Sequence, residues 1–481
     1  MAWLSVLGGF LAVLMSTMDI QITNTAIESI LTSLHAPLPT GSWLTSVYLI
    51  AEIVTLPLTG VLTLKLGLKR YGLIFPAFFM FSSLLCACAW NVESLVFFRV
   101  LQGIAGGALA PFSYTLIISK LPAQEHPKAI GLFGAIVALA PTLGPGVAGW
   151  ISEMFGWRML FFMNIPIGML ALALLYLGLK KEVHVRDQSA RFNWLGVGSI
   201  VVGLGSLQYV LERGHVAHWF ESPLIGAMAL VSVAALSLFV RDALKSPHPL
   251  INLRLLRNPQ LLTACVATAV ACGVVFASYF LIPYFLISVH GYTPIQIGQV
   301  ILITGMTQLL VLTVSPIIMA RVRLHLVIVM GAALFACANY LWASSAFKLL
   351  VPVMVFAQVL RGVGHSLVLA PLCVAATTAI DKKDASSAAI LFNVSRCLGG
   401  AVGLALLTAF ANSRIATQML HTTVGANAGV ALTYVQDSYA RAFQDVFTVM
   451  GGVFTLIAAT FAGFYVRQRR IQRAMRYTQP T

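Results

Sequence analysis

The stretch GVLTLKLGLKR, residues 60–70, closes one long apolar run and opens the next. Gly60 and Gly67 permit close backbone approach and a tight turn, and Lys65, Lys69 and Arg70 concentrate positive charge there. A short basic turn between two apolar runs is what a cytoplasmic connection between membrane helices requires. Three further stretches follow in order on successive apolar segments: FFRVLQGIAGG (97–107), APTLGPGVAGW (140–150) and WRMLFFMNIPIG (157–168). The predicted class is an all-α polytopic membrane protein.

Composition agrees. The chain has 481 residues, of which 59% are hydrophobic and only 9% charged, with a mean hydropathy of +0.89. A water-soluble domain of that length could not solvate such a surface. The net charge of +15 is spread in short runs between apolar segments. That pattern suits loops facing anionic lipid rather than a nucleic-acid surface. Seven cysteines (Cys86, Cys88, Cys265, Cys272, Cys337, Cys373 and Cys397) lie inside apolar runs with no metal-ligand or CxxC spacing. They are expected to be small core residues, with no metal and no cofactor implied. The N-terminus MAWLSVLGGFLAVLM lacks a basic n-region and a cleavage site, so it reads as a retained first helix.

Apolar segments long enough to span a bilayer run approximately over 3–30, 42–64, 71–90, 94–118, 129–152, 159–179, 194–211, 223–243, 261–288, 295–319, 326–346, 349–375, 386–411 and 446–466. With the N-terminus cytoplasmic, 22 of the 30 Lys and Arg residues fall on the cytoplasmic side and 5 on the other. Losing one segment would scramble that alternation, so the count of fourteen and cytoplasmic termini are the expected topology. Trp43, Trp90, Trp157, Trp194, Trp219 and Trp342 lie near segment ends, where an interfacial belt is expected.

FRVLQGIAGG (98–107) is echoed by AQVLRGVGHS (357–366), each followed by a proline, Pro111 and Pro371. The echo predicts two six-helix bundles, 1–179 and 261–466, with an inserted helix pair in 180–260 and a basic tail, 467–481. The moderately polar stretch 412–445 is expected to be an extracytoplasmic loop, either plain surface or a docking element.

The four ordered motifs resemble those of the major facilitator superfamily. Their wording is closest to its fourteen-helix, EmrB-like drug:proton antiporter branch, and the similarity runs over essentially the whole chain. Residues 60–70 resemble the cytoplasmic motif G-x-L-x-D-R-x-G-R-K-R, with Leu64 in the acidic position, which puts that acid's gating role in doubt here. ALAPTLGPGVAGW on the fifth segment resembles the antiporter motif. There Gly131, Gly134, Gly144, Gly146 and Gly149 leave a stripe free of side chains, and Pro141 and Pro145 bend the helix. The resemblance therefore implies gating roles for Gly60, Gly67, Lys69, Arg70, Gly144, Pro145 and Gly149.

Charges inside the segments mark the candidate site. Arg99 lies several residues inside the fourth segment. A buried arginine costs at least ~2.5–3.5 kcal/mol on insertion scales, so it needs a partner. Asp19, in MDIQITNTAI on the first segment, is the natural one. The pair is read either as a static tie or, preferably, as a proton-linked switch. Glu52, mid-way along the second segment in LIAEIVTLPLTG, reads as an isolated carboxyl. It would be a second proton carrier, a contact for a cationic group, or a group hydrogen-bonded to a neighbouring helix. Arg361 and His365 share a face at i, i+4, and Asn393 and Arg396 lie one turn apart in NVSRCLGGAVG. A lone intramembrane histidine is also read as a structural hydrogen-bonding residue. The substrate-binding candidates are Asp19, Glu52, Gln102, Arg361, His365, Asn393 and Arg396. The proton-coupling candidates are Asp19, Arg99 and Glu52. Glu212 and Arg213, on the insert, read as structural.

No Walker A sequence or Ser/His/Asp cluster occurs, so an ion gradient is the expected energy source and an enzyme is disfavoured. The resemblance implies a proton-coupled exporter of hydrophobic or amphipathic small molecules in a bacterial inner membrane. It also implies candidate partners in a periplasmic adaptor and an outer-membrane channel. The alternatives are a dedicated exporter of one metabolite, such as a siderophore or fatty acid, and a non-transporting sensor or scaffold.

Overall fold

The computed structural model describes residues 2–37, 40–179, 193–214, 221–246, 249–348, 350–378, 380, 385–422 and 431–477. The basic runs at 180–191 and 382–383, Trp219 and the tip 423–430 lie outside the described residues. Sixteen α-helices make up the described regular structure, apart from short 3-10 turns, and no strand occurs among the described residues. In the first part of the chain these are α1 (Ala2–Thr25), α2 (Ile27–Ser33), α3 (Gly41–Leu66), α4 (Leu68–Ala87), α5 (Val92–Lys120), α6 (His126–Phe155), α7 (Arg158–Phe162) and α8 (Asn164–Gly178). Then come α9 (Trp194–Arg213), α10 (Pro223–Lys245), α11 (Pro259–His290), α12 (Pro294–Arg321), α13 (Leu324–Ser344), α14 (Val351–Thr378), α15 (Ala385–Thr422) and α16 (Ala431–Tyr477).

Twelve spans among the described residues are long and apolar enough to cross a membrane. Two further helices, α3 and α6, have 26 and 30 residues, so fourteen helices fit. A bilayer core offers no water to backbone N–H and C=O groups, which is why the spans are helices throughout. Their outer faces carry large exposed apolar side chains such as Phe81, Leu230 and Val233. Those faces suit hydrocarbon contact. The chain is a multi-pass membrane protein.

Local sequence sets several helix ends. Asn91 and Ser94 form a capping box at the start of α5, and Thr293 and Gln296 form another at α12. Gly67 sits between α3 and α4 at φ 77°, ψ 155°, a conformation that a side chain would disfavour. Gly291 ends α11 in the left-handed region.

Three expectations about segments change. The first segment breaks at Ala26 into α1 and α2. The sixth breaks at Met163, between α7 and α8. Pro166 lacks the N–H that would bond the carbonyl of Phe162, which interrupts the ladder there. The stretch 412–445, expected as a loop, is largely helical among the described residues. In it α15 continues to Thr422 and α16 starts at Ala431, with Arg414 Nη2 2.5 Å from Asp445 Oδ2 between them. Polar side chains there pair with one another, as Arg414 does with Asp445, so polarity does not end the helix.

Trp157 and Trp342 lie at helix ends, as expected, and are buried among their neighbours, 3% and 1% exposed; Trp342 packs edge-on against Phe285. Trp90 and Trp194 are exposed. Of the cysteines, Cys88, Cys337 and Cys373 are surface residues rather than core.

Packing separates the helices into groups. α1 and α3–α8 pack on one another, α11–α16 pack on one another, and α9 packs chiefly on α10. The two larger groups meet where α6 lies against α12 and α3 against α15.

Candidate functional site

The polar centre of the first group is built on Asp19 and Arg99, both fully buried. Arg99 Nη1 forms an ion pair with Asp19 Oδ2. The same guanidinium donates to Gln102 Oε1 at 2.7 Å and, through Nε, to the Leu44 carbonyl at 3.1 Å. It also lies 4.5 Å over the Tyr48 ring. Asp19 Oδ1 accepts from Gln102 Nε2 at 2.9 Å and from Asn164 Nδ2 at 2.8 Å. Both amides also donate to Ser83 Oγ, at 2.8 and 2.7 Å. Five helices thus converge on one carboxylate–guanidinium pair. Its charges are compensated inside the protein, as a buried pair requires.

The structure brings Asp19, Arg99 and Gln102 together as one unit, with Asn164, Ser83 and Tyr48 as members that the sequence reading missed. Asn164 stands in the quoted motif WRMLFFMNIPIG, and its polarity inside an apolar run was the available signal. Ser83 and Tyr48 carried none.

The second group contains a related arrangement with a different outcome. In the echoed motifs, Arg99 and Gln102 align with Gln358 and Arg361, so the two residue types exchange places. Arg361 is 2% exposed. It donates to Ser278 Oγ at 2.6 Å and to Gln358 Oε1 at 3.4 Å, and lies 5.2 Å from the Tyr279 ring centre. Each of these partners is neutral. Its i+4 neighbour His365 meets Gln308, Nδ1 to Nε2 2.5 Å, and His365 Nε2 is buried without a partner.

Glu52 is not isolated, which corrects the sequence reading. It lies on α3, 8% exposed, with Oε1 3.3 Å from Arg396 Nη2 on α15. The pair crosses between the two groups. Glu52 Oε2 is buried without a partner, and the Arg396 side chain keeps 28% exposure. Asn393 is half-buried one turn before Arg396.

Among the motif residues, Lys69 Nζ donates to the Tyr176 carbonyl at 3.3 Å and lies 4.5 Å from that ring's centre. Arg70 is exposed and Gly149 buried. A Cβ at Gly144 would meet Gln21 Cβ at 3.0 Å, so α6 lies close on α1 there. Gly60 and Pro145 lie within α3 and α6; the surroundings of Gly60 and the side chains of Leu64, Pro145 and Glu212 are outside the described set.

Two groups of membrane helices, one enclosing a buried ion pair and the other a buried arginine, joined by a second ion pair, define an α-helical multi-pass protein with a polar interior. The Major Facilitator Superfamily model matches residues 9–404, and the chain belongs to that superfamily. It is 28% identical over 412 residues to Multidrug export protein EmrB of Escherichia coli (strain K12), covering 84% of this chain and 79% of the relative. It is 30% identical over 427 residues to Fatty acid resistance protein FarB of Neisseria gonorrhoeae, covering 88% and 82%. Its fold is similar to the crystal structure of the POT family transporter PepTSo, with TM-score 0.66 at 14% identity, covering 97% of this chain and 98% of that one.

Proposed function

We propose that this chain is a proton-coupled exporter of hydrophobic or amphipathic small molecules that works by alternating access. The observation that carries the proposal is the buried Asp19–Arg99 pair, with Gln102 and Asn164 both donating to the same carboxylate. A carboxylate so placed has a guanidinium, two amides and a hydroxyl to rearrange when it takes a proton. Its charge change would bias the packing of α1 against α5 and α8. Asp19, Arg99 and Glu52 are the coupling residues in this reading. In the same reading Asp19, Glu52, Gln102, Arg361, His365, Asn393 and Arg396 bind substrate, and of these Glu52 and Arg396 meet across the boundary of the two groups. The names of the relatives support efflux as the direction.

The chain is read as two six-helix bundles, 1–179 and 261–466, with 180–260 inserted between them and 467–481 as a basic cytoplasmic tail. The 22-to-5 distribution of Lys and Arg supports cytoplasmic termini. The bacterial sources of the relatives support an inner-membrane location. The extended ends of α15 and α16, tied by Arg414 and Asp445, are the surface on which a periplasmic adaptor would dock. Each net charge moved down 100 mV supplies about 2.3 kcal/mol, enough for roughly a 50-fold concentration ratio.

One second reading has a specific observation behind it. The name of FarB and the buried guanidinium of Arg361, whose contacts are all neutral, favour a dedicated exporter of acidic lipid-like compounds. Dye accumulation in cells tests the main proposal. Cells making the wild type should hold less of an amphipathic dye than cells making Asp19→Asn, and a protonophore should erase the difference. Equal accumulation with and without the protonophore would refute proton coupling.

A further inference from the structure

The two echoed half-sites differ in one chemical respect. In the first, the buried arginine faces a carboxylate, Asp19. In the second, the place opposite Arg361 is taken by Ser278, a neutral hydroxyl. Among the described residues, no carboxylate lies within ion-pairing distance of Arg361. A guanidinium desolvated without an anion is costly, so a counter-charge arriving from outside the chain would be favoured there.

A partly exposed guanidinium of the same helix group is Arg396. Its Nη2 contacts Glu52 Oε1 at 3.3 Å and Cys397 Sγ at 3.3 Å, and its side chain retains 28% exposure. His365, one turn after Arg361 on α14, adds a buried Nε2 without a partner. The one carboxylate in this neighbourhood among the described residues is Glu52, which comes from the other helix group and satisfies Arg396 through a single oxygen. The site therefore already holds a carboxylate, in a monodentate contact, while the buried guanidinium of the same helix group, Arg361, has none.

We infer that Arg396 is the binding point for the carboxylate of an amphipathic acid, and that Glu52 is the internal carboxylate this substrate replaces. The acid's apolar body would lie along the boundary where α3 faces α15, and its head group would gain the fork of Arg396. Displacement leaves Glu52 without its cation, so substrate binding and the tie between the two groups exclude each other. This assignment rests on the exporter reading for its context and names the class of cargo; the binding itself is a separate claim.

Three probes of matched shape test it on the purified full-length protein in nanodiscs: pyrenebutyrate, pyrenebutanol and a pyrenebutyl trimethylammonium salt, followed by fluorescence anisotropy. The wild type should bind the carboxylate about tenfold more tightly than the alcohol, the scale of one charge-assisted contact. Arg396→Gln should bring the carboxylate down to the level of the alcohol. Glu52→Gln should strengthen carboxylate binding about tenfold by removing the competitor, a gain that a purely structural role for the pair would not produce. Equal wild-type binding of carboxylate and alcohol, no binding of any probe, or preference for the ammonium would overturn the inference without requiring any variant to fold. So would unchanged or weaker carboxylate binding in Glu52→Gln.

Transport separates this failure from failure of the exporter reading. An ammonium probe exchanged for protons with no binding of the carboxylate leaves the exporter and removes the site. Arg396-dependent carboxylate binding with no proton exchange for any probe supports the site and removes the exporter.

Discussion

Arg396 on α15 reaches Glu52 on α3 across 344 positions of sequence, Nη2 to Oε1 3.3 Å, and so ties the first helix group to the second. In an alternating-access protein this boundary has to open and close. A tie placed there holds one arrangement and has to release for the other. In a background lacking the native cysteines, Glu52→Cys with Arg396→Cys should cross-link with a short reagent, and the yield should fall when an imposed pH gradient shifts the protein to its other arrangement. An equal yield with and without the gradient would show that the two helices do not separate.

The Asp19–Arg99 pair should serve stability and coupling separably. Asp19→Ala leaves a buried guanidinium without its anion, a loss on the order of 3–5 kcal/mol. It should lower the thermal unfolding midpoint of the detergent-solubilised protein. Asp19→Asn with Arg99→Gln removes both charges and should recover most of that stability while transport stays absent. Recovery of transport in the double variant would show that the pair is only a structural tie.

Asn164 donates to both Asp19 and Ser83 from the first residue of α8. Asn164→Ala should leave the fold in place and reduce substrate-driven proton exchange about tenfold, the scale of one hydrogen bond to a charged group. Asn164→Asp should be worse than Ala, because it sets a second carboxylate beside Asp19. Initial rates of exchange in vesicles measure both effects, and wild-type rates in the two variants would remove Asn164 from the coupling unit.

Glycine contacts make a prediction about packing. A Cβ at Gly107 would fall 2.5 Å from the Glu52 carbonyl oxygen, whereas one at Gly198 would meet nothing within 4 Å. Gly107→Ala should therefore cost about 1–3 kcal/mol and shift α3, disturbing Glu52. Gly198→Ala should stay within about 0.5 kcal/mol of the wild type. Unfolding midpoints of the two variants compare them directly.

Much of the fold was legible in the sequence, because apolar length, the side on which basic residues fall and two echoed motifs each constrain it independently. The partner of Arg99 was legible for a related reason. A charge inside an apolar run needs a counter-charge, and Asp19 stood in a recognisable motif. The partner of Glu52 was not, since nothing local marks Arg396 as the residue it meets. The helical continuation through much of 412–445 was hidden by polarity, which does not by itself set backbone conformation. The burial of Trp157 and Trp342 was not legible either. A tryptophan near a segment end suits an interface, and its burial depends on what packs against it, here phenylalanines and a neighbouring arginine. The exchange of Arg and Gln between the echoed motifs was present in the letters. Its meaning depended on seeing Ser278 where the first half has an acid.

The most direct test of the account is proton movement in vesicles that contain the purified protein and a lumenal pH dye, with an imposed pH gradient and amphipathic probes of both charges. The account predicts that substrate addition to the wild type moves protons and that Asp19→Asn, folded by gel filtration, moves none. Substrate-dependent proton movement that survives Asp19→Asn would contradict the role given to Asp19. Substrate transport with no proton movement in the wild type would contradict proton coupling altogether.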